Sequence, residues 1–288
     1  MASEDFFQDS TVTDVVQANI ERVDRLEEKE QKRLLKIFKE VRRELQDRLL
    51  VIPEGTFTEQ QLNVTLVQIQ AAIQAIKQDL NQGMVDSSKI LAERGVQDLI
   101  REVGAFSKKF EGSVQPLNID AIRIAAKTES FLVNKYEASI NAYGESLRAQ
   151  ITTEIAQGFV PRDSSQRTVS RLQSDIGRFF IGEEWKLNRI VRTELHNIYN
   201  FSKLQGMSES KERAVPDLKK TLIHPMDSRT GDDSKKLKEL NPVVAIDEPF
   251  RFTYKGKTRV FQFPPDRPND RSILVPYRDE WAKAAGNS

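Results

Sequence analysis

The sequence predicts an α+β fold. An elongated N-terminal helical region fills residues 1–157, and residues 158–288 hold two more helices followed by a small C-terminal β-rich unit with a hairpin. Three observations predict this plan. Apolar residues recur every three or four positions through the first half. Aromatic residues alternate with polar ones between 250 and 263, around a single glycine. After Gly206 the helical spacing gives way to short branched runs bounded by proline and charged residues.

The first helical stripe runs from Val16 through Ile20, Val23, Leu34, Ile37, Val41, Leu45 and Leu49. Glu27 and Glu30 interrupt it, which predicts one solvated end. Pro53 and Gly55 break the pattern. Thr58 is placed to cap the next helix, with Gln61 reaching back as in a capping box. That helix carries Leu62, Leu66, Ile69, Ile73, Ile76 and Leu80, weakens at Gly83, and resumes through Leu91, Leu99, Val103, Phe106 and Phe110.

A third stretch spans about 119–157, with Ile122, Ala126, Tyr136, Ile140, Tyr143, Leu147, Ile151 and Ile155, and Gly158 and Pro161 end it. Two further helices occupy "SSQRTVSRLQSDIG" and "WKLNRIVRTELHNIYNFSKLQG", the second ending near Gly206. Beyond it "KKTLIH", "PVVAI" and "SILVP" read as short strands. "FRFTYKGKTRVFQF" reads as a hairpin turning at Gly256, and "PPDRPND" as a loop, because its prolines cannot sit in a central strand. Each helical stripe must bury a face, within the chain as a bundle or against a partner.

Composition narrows the function. Hydrophobic residues are 38% and charged residues 30% of the 288, which suits long helices exposing much surface. No apolar run reaches the length of a membrane span, and the acidic start "MASEDFFQDS" is unlike a signal peptide, so no membrane contact and cytoplasmic synthesis are expected. Without cysteine there is neither a disulfide nor a thiolate metal site. The net charge is +1, with +4 on residues 201–288 and −3 on the remainder, so no overall attraction to nucleic acid is expected.

The most distinctive stretch is "HPMDSRTGDDSKK", residues 224–236. As a metal loop it offers His224, Asp227, Asp232 and Asp233, but not the alternating ligands of a calcium loop. No nucleophile elbow, phosphate loop or zinc-protease motif is present, so the sequence predicts no catalytic residue, no metal and no cofactor. A magnesium nuclease would need two or three carboxylates converging in a cleft, which Asp227, Asp232, Asp233 and Asp270 supply only if the fold brings them together.

The reading preferred here is structural, because arginine forms planar, bidentate pairs with carboxylates. The sets Arg192 with Glu194, Asp227 with Arg229 and Asp270 with Arg271, helped by Thr230, are expected to tie helix, turn and last strand together. Lys235, Lys236, Lys238, Lys255, Lys257 and Arg259 are candidate DNA contacts, set against their reading as a solvated face.

In this order, "RIVRTELHNIYN", "DSRTGDDS", "PVVAIDEPF" and "PPDRPNDRSILVP" resemble the Mu F-like head morphogenesis family of tailed bacteriophages. The resemblance covers roughly residues 145–288. It rests on Arg192, Thr193 and Glu194; on Asp227, Arg229 and Thr230; on Val243 to Phe250; and on Asn269, Asp270, Arg271 and Ser272. The family typically has cysteines where Asp270 and Ser272 stand, and a His or Cys near Ser234.

The resemblance implies a minor structural protein of the virion head, oligomeric in the particle. Its implied partners are the portal or major capsid protein and packaged DNA, and its roles head assembly and genome retention or delivery. The alternative is a metal-dependent nuclease or toxin-like transferase built on the acidic cluster around Asp227.

Overall fold

The structure, a computed structural model, describes residues 2–50, 59–114, 117, 119–158, 165–225, 230–240, 242–268 and 270–286. It is mostly helical, with a long N-terminal helical region and a small C-terminal antiparallel region, as the α+β prediction requires. The order is α1 (Ala2–Gln8), α2 (Ser10–Leu50), α3 (Glu59–Glu111), α4 (Ala121–Gly158), α5 (Ser165–Arg213), β1 (Lys219–Ile223), α6 (Asp232–Leu240), β2 (Val243–Ala245), β3 (Phe250–Tyr254), β4 (Lys257–Phe261), β5 (Ile273–Tyr277) and α7 (Asp279–Ala285).

The chain forms two compact units that interleave in sequence. One holds residues 1–28, 87–132 and 192–288; the other holds 29–86 and 133–191. The divide expected at 157/158 is therefore not where the units part. No helix among the described residues is long and apolar enough to cross a membrane.

The long helices differ from expectation in continuity. Residues 165–213 form the single helix α5 where two were expected, and α3 runs unbroken through Gly83. Gly83, read as a weak point, and Gly206, read as a helix end, are sites of close approach. A Cβ at Gly83 would lie 2.5 Å from Leu34 Cδ2, and one at Gly206 would lie 2.7 Å from Leu99 Cδ2. The residues that would form the Thr58 cap lie outside the described residues.

In the second unit, Leu34, Ile73, Leu80, Met84, Ile140 and Leu187 are buried. Arg33 donates to the Gly83 carbonyl at 2.7 Å, and Lys39 pairs with Glu184 at 3.1 Å.

The first unit carries the strands. β1 is central in a three-stranded antiparallel sheet, flanked by β2 and β5, with Thr221 opposite both Val243 and Val275. The hairpin appears as read. Phe250 pairs with Phe261 and Tyr254 with Lys257, across a turn in which Lys255 and Gly256 have φ of 48° and 74°. Two consecutive positive φ values suit the twist of a two-residue hairpin turn, and glycine takes one of them at no steric cost. Phe250 and Phe252 point into the core while Arg251 and Thr253 face water, the period-two pattern that marked the strand.

Phe6 anchors one end of this unit. Its ring meets Phe106 and Tyr277 edge-on at 5.6 and 5.2 Å and stacks with Trp281 at 6.4 Å. These are the preferred aromatic geometries, and all four residues are buried. From there the contacts between α2, α3 and α5 become polar. Asn19 and Lys203 both donate to Glu102, and Arg22 and Tyr199 both donate to Asp98. Glu27 and Glu30, expected at a solvated end, are 3% and 2% exposed. The stripe admits them because each has a cationic partner: His196 for Glu27 and Arg33 for Glu30.

Candidate functional site

The chain has two histidines, and both close on Ser272, just before β5. His196 sits on the buried face of α5, one turn before Asn200. Its Nε2–H donates to the Ser272 carbonyl at 2.6 Å, and its Nδ1 faces Glu27 Oε1 of α2 at 2.6 Å. Burial alone would lower this imidazole, but the Glu27 carboxylate, the Ser272 carbonyl and Asp270 more than offset it and raise its pKa. Asn200 extends the join: its Nδ2 donates to the Ser272 carbonyl at 3.3 Å, and its Oδ1 accepts the Leu274 N–H at 2.7 Å.

His224 follows β1 and meets the serine's other side. The Ser272 hydroxyl donates to Asp270 Oδ1, so its oxygen accepts from His224 Nδ1–H, both at 2.5 Å. A hydroxyl has one proton, so this chain fixes the His224 tautomer and leaves Nε2 with a lone pair. That Nε2 is buried and has no hydrogen-bond partner. Burial pushes His224 down to about 4, so the ring is neutral near pH 7. Asp270 also accepts the Ser272 N–H and the Asp266 N–H. The Ser272 hydrogen bonds, Arg267 and the two histidines outweigh its burial and hold its carboxyl below the usual range.

Beside this node lies a closed ring of charges. Arg259 pairs with Asp233 at 3.2 Å and Asp266 at 2.9 Å; Arg267 pairs with Asp233 at 3.1 Å and Asp266 at 2.6 Å. Asp233 lies in the first turn of α6, and Arg267 also donates to the Ser234 hydroxyl. A hollow of about 210 Å³ lies between node and ring, lined by His224, Thr230, Asp233, Arg267, Asp270 and Ser272 among others. Its cations and carboxylates balance, and the Asp233 oxygens already accept from Arg267, Arg259 and the Ser234 N–H. It offers hydrogen bonding to a small polar group more readily than it offers free ligands to a cation.

The expected residues fall into several groups. Glu194 is buried on α5 and accepts from Asn197, while Arg192 and Thr193 are half-buried beside it. The Thr230 hydroxyl donates to the Pro225 carbonyl. Asp227, Arg229 and Asn269 lie outside the described residues.

A polar network between helix and last strand is present, and within it Asp270 and Arg271 take other partners than each other. Asp270 does not pair with Arg271; it holds Ser272, while Arg271 reaches Asp24 of α2 at 3.2 Å. Residues adjacent in an extended segment point to opposite sides, which separates the two. Asp232 is exposed and pairs with Lys235 on its own helix. Among the described residues no three His, Asp or Glu gather as metal ligands do.

Of the candidate DNA contacts, Arg259 is taken up by the charge ring and stacks on Phe252 at 5.1 Å. Lys235 and Lys236 pair with Asp232 and Glu239 on their own helix. Lys255 lies over the Tyr254 ring, Lys257 is exposed on β4, and Lys238 borders a second hollow with Phe7 and Ile20.

Sequence reasoning missed His196, Glu27, Arg267 and Asp266. A signal existed for the first: a histidine two residues after Glu194 and four before Asn200 puts two polar side chains on the buried stripe of one helix. No family model, curated protein or solved structure matches this chain.

Proposed function

We propose that the protein is a minor structural protein of a tailed-phage head, at the portal vertex or inner capsid, acting in head assembly and in genome retention or delivery. One observation carries this reading: segments of the resembled motifs, far apart in sequence, meet at one hydrogen-bonded join. His196 and Asn200 of "RIVRTELHNIYN" grip Ser272 and Leu274 of "DRSILVP", and Thr230 borders the same hollow as Ser272. The join engages most of its polar groups internally, as a rigid building block needs. Portal and major capsid protein are the proposed partners, with packaged DNA a further one. The test is mass spectrometry of purified particles of the phage that encodes the gene. The protein is expected there in few copies per head, and its absence would contradict a structural role.

The alternative, a nuclease or transferase, draws on the hollow and on the bare Nε2 of His224. It is the weaker reading, because the Asp233 carboxylate is already engaged by two arginines. Cleavage of DNA in magnesium or manganese, lost in Asp233→Asn, would favour it.

A further inference from the structure

His196 joins three elements through one ring: its own helix α5, Glu27 of α2 and the Ser272 carbonyl before β5. A carbonyl only accepts, so Nε2 carries a proton. The 2.6 Å contact between Nδ1 and Glu27 Oε1 then needs one more proton between two bases. Remove that proton and a bare carboxylate faces a lone pair in a place with 2–4% exposure. We propose that the Glu27–His196–Ser272 bridge is a proton-dependent clasp, holding α2 to the start of β5 while the shared proton is bound and loosening when it is lost.

The surroundings fit a clasp. Glu27 faces the ring from α2 and Asp270 from the lead into β5, while the Tyr199 ring of α5 lies 6.4 Å away. Both carboxylates favour the protonated ring, and burial opposes it. His224, on the far side of Ser272, is neutral and adds no competing charge near pH 7. The Arg271 to Asp24 pair spans the same two elements, so loss of the proton loosens the contact without freeing the helix. The sign follows from the raised pKa of His196. Its contribution is complete below the unfolded value of 6.5 and disappears as pH rises through the folded value.

The test follows the two histidine rings by NMR against pH, together with amide exchange of residues 24–28 and 272–274 corrected for intrinsic rates. One ring is expected to titrate above 6.5, with exchange of those amides rising about tenfold at the same midpoint. Glu27→Gln should bring the His196 midpoint below 6.5, because burial is then less opposed. His196→Gln keeps an N–H donor for the carbonyl and should abolish the exchange step. If Glu27→Gln fails to fold, the wild-type titration and His196→Gln decide. Two rings titrating at or below 6.5, or flat protection across the His196 midpoint, would overturn the clasp.

Discussion

Two charge clusters in the same unit use the same chemistry to opposite ends. Glu102 and Lys203 meet at 2.7 Å with neither side chain exposed, and Asn19 donates to the same carboxylate. Asp233 and Arg267 meet at 3.1 Å with 23% and 25% of their side chains in water, inside a ring that shares each carboxylate between two guanidinium groups. The first pair has no water to fall back on. Burial raises the Glu102 carboxyl despite Lys203 and Asn19. Sliding α5 by one residue against α3 would strand both charges, so the pair selects a register. In the second cluster Asp233 and both guanidinium groups keep partial contact with water, while Asp266 is only 2% exposed, so the ring shapes the loop before β5 without dictating how the helices pack.

The largest predicted effect lies on the buried side. Lys203→Ala leaves Glu102 dry and unpaired and should cost about 3–5 kcal/mol in urea unfolding. Replacing both partners, Lys203→Met with Glu102→Leu, should restore most of it. A loss below ~1 kcal/mol in the single variant would show that the site hydrates freely and would erase the contrast.

Next comes the node between the two regions. His224 is held at about 4 against an ordinary 6.5, so the unfolded chain binds its proton first on acidification. Stability should therefore fall as pH drops from 6.5 towards 4, by on the order of 3 kcal/mol, and His224→Gln should flatten that window.

The ring should respond more weakly. Arg267→Ala is expected to cost about 1–3 kcal/mol, with a smaller cost in high salt, whereas the Lys203 effect should be insensitive to salt. Last, Lys235→Ala removes only an exposed pair within α6 and should leave the unfolding midpoint unchanged.

Much of this architecture was legible in the sequence, and the exceptions have physical reasons. The hairpin could be read because alternation and Gly256 are both local properties. The helices could be read from their stripes, but their lengths could not, since Gly83 and Gly206 serve close packing against Leu34 and Leu99 and not chain reversal. Helix α6 was hidden inside a charged run. Its signal was Asp232 and Asp233 in the first turn and Lys238 in the last, which suits the helix dipole.

At the site, composition foretold a network of arginine and carboxylate but not its pairing. Asp24 and Arg271 are 247 residues apart, and no local pattern links them. Glu27 looked like a surface residue because its partner lies 169 residues away. Long-range pairing decides which charges are buried, and one-dimensional spacing carries little of it.

Helix α5 and the three-stranded sheet are locked together at Ser272. Native-state hydrogen exchange of the Leu274 amide, which donates to Asn200 Oδ1, tests this most directly. The prediction is exchange among the slowest in its unit, accelerated strongly by Asn200→Ala while amides of the β3–β4 hairpin are unaffected. A Leu274 amide that exchanges as fast as a surface loop in the unaltered protein would contradict it.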